Sequence, residues 1–157
     1  MTHPSPSFPL DRVPPPLGFL AAFLVGMLLQ HLVRPHSPTS PAPFAVLGVV
    51  LVAVGAAMAS SAIVLFVTNR TTVVPHGQPA QFVVRGPFRW TRNPMYVGLV
   101  LAYAGAAAWT GTWLALPLLT LPILHLSRWI IPMEEAELRS RFGQAYEDYS
   151  RRVRRWL

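Results

Sequence analysis

Residues able to do chemistry gather in two short stretches of this chain. The first is Arg-Gly-Pro-Phe-Arg-Trp-Thr-Arg-Asn-Pro-Met-Tyr-Val-Gly at residues 85–98. Asn93-Pro94 is a natural helix start, with Asn as cap and Pro in the first turn. The N–H groups of such an end, with Arg92 beside them, can hold a carboxylate. Tyr96, one turn in, offers an aromatic face to a cation. The plainer alternative is a capped helix with an Arg and a Tyr at a membrane interface. The second stretch is Glu134-Glu135. Two acids there can simply match the dipole of a helix's first turn, or one can face inward to bind an ammonium group or hydroxyls. Neighbouring helical positions point about 100° apart, so the two are not expected to share one job. Tyr146 and Tyr149, one turn apart, can close such a site or pack it.

Other chemistries find little support. There is no Cys, which removes disulfides, thiolate nucleophiles and Cys-bound metals. His3, His31, His36, His76 and His125 lack ligand spacing, and no metal site is expected. The net charge of +7 comes with 13 basic residues, all of them Arg, lying between apolar runs or in the tail. That distribution fits loops against anionic headgroups, not a nucleic-acid face.

The elements that must position these residues lie in lipid. The chain is 52% hydrophobic and 12% charged over 157 residues, with mean hydropathy +0.40. Soluble domains carry roughly 25% charged residues. Residues 1–16 form a Pro-rich tail. Residues 17–33 and 44–67 are uncharged and read as two transmembrane helices, with Ser60 and Ser61 able to bond back to helix carbonyls. Residues 93–127 carry no formal charge, and as one helix they would run about 52 Å, well beyond a hydrocarbon core of roughly 30 Å. Trp109-Thr-Gly-Thr-Trp113 breaks this run, which predicts a hairpin of helices at 95–109 and 113–131, the second bent at Pro117 and Pro122. Over 132–157, Leu138, Phe142, Ala145, Tyr149, Val153 and Trp156 recur at helical spacing. They predict one amphipathic helix lying at the interface, with Glu135 to Arg139 and Glu137 to Arg141 as pairs on its wet side. The expected fold is an all-α integral membrane protein of about four transmembrane helices, the last two a short hairpin, plus that C-terminal helix. The N-terminal helices at 17–67 would precede a functional half at 68–157. Arg is concentrated at 68–92 and in the tail, which predicts both termini on the cytoplasmic side.

The order Arg-Asn-Pro-Met-Tyr-Val-Gly, apolar hairpin, Glu-Glu-x-x-Leu and Phe-Gly-x-x-Tyr-x-x-Tyr resembles the isoprenylcysteine carboxyl methyltransferase family and its phospholipid methyltransferase relatives. Thr71-Thr-Val-Val-Pro75 followed by Arg85-Gly-Pro-Phe88 is similar to the bacterial branch, so the resemblance spans about residues 71–156 and implies a bacterial plasma-membrane enzyme. It implies S-adenosylmethionine (SAM) as cofactor and a membrane-resident, lipophilic acceptor. Asn93, Pro94, Met95 and Tyr96 fall on the family's cofactor-binding His-Pro-x-Tyr, and Ala80, Gln81, Phe82 and Val83 on an upstream segment lining that site. Glu134 falls on the cofactor-binding Glu, with Glu135 its partner. Three positions depart: Asn93 replaces the common His, Phe88 replaces a Tyr of the eukaryotic enzymes, and Ile130 stands where those enzymes hold the substrate carboxylate with Arg. Prenylcysteine is therefore not carried over as substrate.

On this resemblance Arg92, Tyr96 and Glu134 do the work. Arg92 and the Asn93 helix end would hold the methionyl carboxylate, Glu134 the ammonium or ribose, and Tyr96 the cationic centre. Two rivals stand beside it. One is an NADPH-dependent membrane reductase of the sterol reductase type, and the other a non-catalytic membrane scaffold with the same fold.

Overall fold

The computed structural model describes residues 14–34, 40–68 and 84–157, and every regular element among them is a helix. Helix α1, Pro15–Val33, opens on prolines, whose missing N–H groups cost nothing in a first turn. Helix α2, Ala42–Thr68, runs 27 residues, and Ser61 returns its hydroxyl to the Met58 carbonyl at 2.8 Å. A 3₁₀ turn at Gly86–Arg89 leads to α3, Pro94–Thr110. Then come α4 (Ala115–Leu118), α5 (Thr120–His125), a π-helical turn at Leu126–Ile130, α6 (Ile131–Phe142) and α7 (Gln144–Arg152).

Among the described residues three helices are long and apolar enough to cross a membrane: Pro15–Val33, Ala42–Thr68 and the composite Ala115–Phe142. Helix α3, with 17 residues, stands at the lower limit of about 17 for a span. The expected hairpin is present. Gly111, at φ 74°, ends α3 in the left-handed region that favours glycine. The Gln30 side chain of α1 then bridges the turn, donating to the Gly111 carbonyl at 3.1 Å and accepting from the Leu114 N–H at 3.3 Å.

Helices α2 and α3 run antiparallel with their backbones nearly touching. Gly48, Gly55 and Ala62 recur every seventh residue on α2 and are buried, as are Gly98 and Gly105 on α3. A methyl group added at Gly55 would stand 2.5 Å from the Gly98 carbonyl oxygen, and one at Gly48 2.5 Å from that of Gly105. Small residues every two turns let such helices meet where lipid provides no hydrophobic drive. Helix α1 packs on the other side. Its Gly26 lies against Ala115, and Phe19 and Phe23 meet the Tyr103 ring edge-on, while the Tyr103 hydroxyl donates to the Ala115 carbonyl at 2.8 Å.

The composite helix is interrupted where the sequence predicts bends. Pro117 and Pro122 cannot donate to the helical ladder, and the π turn follows within one turn of Pro122. Its 28 residues measure about 42 Å, with Glu134 roughly 29 Å along from Ala115. A hydrocarbon core of roughly 30 Å that begins near Ala115 therefore ends near Glu134.

The C-terminal region differs from the single helix expected over 132–157. Helix α6 is the last part of the composite span, and Gly143, at φ 49°, breaks the chain before α7. Tyr146 and Tyr149 turn inward from α7 and are buried, whereas Ala145 is exposed. Val153 is extended (φ −117°, ψ 130°), so the expected stripe does not share one face. The physical reason is glycine at 143: without a Cβ it adopts the positive φ that folds α7 back.

Candidate active site

Helix α3 begins beside the point where α6 emerges, and this brings the two chemical stretches together. The Tyr96 hydroxyl donates to Glu134 Oε1 at 2.6 Å, a short charge-assisted bond. Tyr96 is buried at the apolar cluster of Phe19, Leu126, Ile130 and Ile131, which holds its ring in place. Glu134 remains half-buried.

Glu135 points elsewhere and is only 3% exposed. Arg155 grips it with a fork, Nε to Oε1 at 3.0 Å and Nη2 to Oε2 at 2.7 Å. Arg92 Nη1 reaches Oε1 at 3.1 Å, and Arg139 Nη2 stands 3.6 Å from Oε2. Arg139 also pairs with Glu147 at 2.9 Å. A buried carboxylate needs such partners, because desolvation without them is prohibitive. Glu135 thus corrects the expectation of a wet-side pair with Arg139: the i,i+4 pair exists, but its carboxylate is buried. Glu137 and Arg141 do form the expected surface pair, at 3.6 Å.

The tail closes over the start of α3. Arg92 N–H donates to the Arg154 carbonyl at 2.9 Å. Asn93 Nδ2 and Thr91 Oγ1 both donate to the Arg155 carbonyl, at 2.8 and 3.1 Å. Asn93 occupies the N-cap position but makes no side-chain cap bond, a second correction: its amide faces a carbonyl and so acts as a donor, leaving the helix N–H groups untouched. From α7, Tyr149 donates to the Phe88 carbonyl at 2.8 Å, and Tyr146 lies within 3.5 Å of Arg92 Nη1 with Arg139 over its ring at 5.6 Å. Burial pushes both phenols above their ordinary range, so they stay protonated donors. The bond to Glu135 shifts the Arg155 guanidinium up as well and keeps it charged.

Of the residues singled out, Arg92, Tyr96, Glu134 and Glu135 come together. Asn93, Pro94 and Met95 form the adjoining turn, Pro94 buried and Met95 half-buried. Ala80, Gln81, Phe82 and Val83 lie outside the described residues. Phe88 packs on Phe66 with ring centroids 5.1 Å apart. Ile130 is 1% exposed in the apolar cluster, whereas Arg128 is exposed. Sequence reasoning missed Arg155 and Thr91. Arg155 belongs to a basic tail with no periodicity to mark it, and a threonine beside an Arg-Asn-Pro turn carries no signal of its own.

The arrangement holds both signs of charge at close quarters: Arg92, Arg139 and Arg155 against Glu134, Glu135 and Glu147. One donor, Arg92 Nε, is buried and has no acceptor among the described residues. Comparison with known proteins agrees with the motif order. An uncharacterized protein of Haemophilus influenzae is 38% identical over 63 residues, which are 40% of this chain and the whole of that protein. No solved structure matches significantly. The profile of the phospholipid methyltransferase family matches residues 44–145, taking in α2, α3, the composite helix and both chemical stretches, and the chain belongs to that family.

Proposed function

We propose that the protein is a SAM-dependent methyltransferase acting on a lipophilic acceptor at the membrane surface. The observation that carries this reading is the Tyr96–Glu134 hydrogen bond beside the half-buried Arg92, whose buried Nε has a proton to donate and no acceptor among the described residues. The residues fit the cofactor. A methionyl group is a zwitterion, and here a guanidinium with an unused donor stands near a half-buried carboxylate. Arg92 would bind the carboxylate, Glu134 the ammonium or ribose hydroxyls, and Asn93, Pro94 and Met95 the adjoining backbone. Ala80, Gln81, Phe82 and Val83 would line the site from upstream. When bound, SAM supplies a methyl group on a positively charged sulfur, open to in-line displacement by the acceptor. Tyr96 would set its ring beside that positive charge, held in orientation by Glu134. The packed cluster behind it excludes water, which strengthens each of these contacts.

The acceptor would arrive from the bilayer. A groove of about 360 Å³ between α1 and α5 is lined by Gly18, Phe19, Ala22, Leu121, Pro122 and Leu126, among others. Leu126, at the end of this groove, is followed at four-residue spacing by the buried Ile130 and by Glu134, so the groove opens about two turns from the site on the same helix. A carboxylate, thiolate or phospholipid headgroup would then meet the cofactor near the interface. An anionic acceptor would need no base, whereas an amine would have to lose its proton to one. In this reading α3 is a fourth span, and the termini share the cytoplasmic face with the site.

The test is calorimetric titration of the detergent-purified protein with SAM. Binding is expected in the wild type, with at least tenfold loss (about 1.4 kcal/mol or more) in both Glu134→Ala and Tyr96→Ala. No binding at millimolar SAM, or binding of NADPH in its place, overturns the proposal.

A further inference from the structure

The family match ends at residue 145, yet the chain beyond it is built into the site. Residues 153–157 run back over the start of α3, and three hydrogen bonds hold them there: Arg92 N–H to the Arg154 carbonyl, and Asn93 and Thr91 to that of Arg155. Both neighbours of Arg92 are thereby pinned along with its own backbone. The Arg155 side chain then reaches across to α6 and takes the forked position on Glu135.

That fork decides what Arg92 can do. Glu135 offers one carboxylate, and a guanidinium facing it prefers two parallel bonds. Because Arg155 holds both oxygens, Arg92 touches Glu135 through Nη1, and its Nε is left without an acceptor among the described residues. Without Arg155, Glu135 would keep, among the described residues, Arg139 at 3.6 Å and Arg92 at 3.1 Å. The simplest repair is for Arg92 to close a fork on Glu135, spending the donor that a ligand carboxylate needs. We infer that residues 153–157 are a strap that positions the site and that Arg155 is its positioning residue, holding Glu135 so that Arg92 remains directed at the ligand. This rests on the cofactor reading above. Arg155 is itself no catalytic residue, since it acts through Glu135.

The experiment compares full-length wild type, Arg155→Ala and Arg155→Lys in detergent. SAM affinity is read by calorimetry, thermal midpoint by unfolding, and the KM for SAM by transfer of labelled methyl into a membrane extract. Arg155→Ala is expected to weaken SAM binding about tenfold (~1.4 kcal/mol) and to raise that KM in parallel, with kcat changed less. Arg155→Lys keeps the charge but cannot form the fork, and should fall between the two. In the Glu135→Gln background, Arg155→Ala should cost little more, because the pair acts as a unit. If Arg155→Ala lowers the midpoint or the active fraction while the folded protein binds SAM as tightly as wild type, the strap is structural only and the inference fails. A wild type that does not bind SAM overturns the cofactor reading, and the inference with it.

Discussion

Glu134 and Glu135 are the same chemical type one residue apart, and about 100° of helix rotation gives them different surroundings. Glu135 is buried among guanidinium groups, so its removal leaves the largely covered Arg92 without its carboxylate, whereas Arg139 and Arg155 can turn to water. Glu135→Ala should destabilise the protein by less than the roughly 3–5 kcal/mol of a fully buried pair, about 1–3 kcal/mol, read as a lowered thermal midpoint in detergent. Glu134→Gln should move that midpoint far less, since Glu134 is half-buried and an amide can still accept from Tyr96. Equal losses for both would contradict the division of labour drawn here. That the two acids cannot share a task follows from their adjacency in sequence. Which one turns inward does not, because it depends on where Arg92 and Arg155 arrive from distant parts of the chain. Asn93 teaches the same lesson. Its cap position is legible from Asn-Pro, but its side chain serves a carbonyl 62 residues away.

At the scale of elements, the pairing of α2 with α3 fixes where Arg92 and Tyr96 begin their helix. Gly55 and Gly98 touch through backbone, so a larger side chain must push the helices apart. Gly55→Val is expected to cost several kcal/mol, at or above the roughly 1–3 kcal/mol typical of overpacking, and to lower both the midpoint and the yield of folded protein. Retention of wild-type stability would show that the crossing is looser than 2.5 Å from the added carbon implies. The helices themselves are visible in the sequence as uncharged runs. Their partners are not, since glycines at seven-residue spacing look alike whether they face a helix or lipid. The break at Gly143 was hidden for a related reason: the apolar spacing continues across it, and only the positive φ shows that the face is split.

Over the whole molecule, the site lies at the start of α3 and of α6, and the groove between α1 and α5 lies about two turns before α6's Glu134 on the composite helix. Gly18 lines that groove, and a Cβ there would meet nothing within 4 Å. Gly18→Leu should therefore fill the groove without strain and, by replacing glycine within a helix, keep or raise stability. SAM affinity should stay within about twofold, while methyl transfer to membrane lipid falls about tenfold, equivalent to about 1.4 kcal/mol of barrier. Unchanged transfer would place the acceptor's path elsewhere. What the sequence determined by itself is the solvent, the helical class and the order of the chemical stretches. Apolar runs of span length have few stable forms other than helices in lipid, and motif order needs no third dimension. The tertiary structure decided which carboxylate is buried, that a tail arginine grips it, and that Tyr96 and Glu134 share a proton donor and acceptor across 38 positions. Those depend on the close crossing of α2 and α3 and on the turn at Gly143, which bring together residues that nothing local in the chain connects.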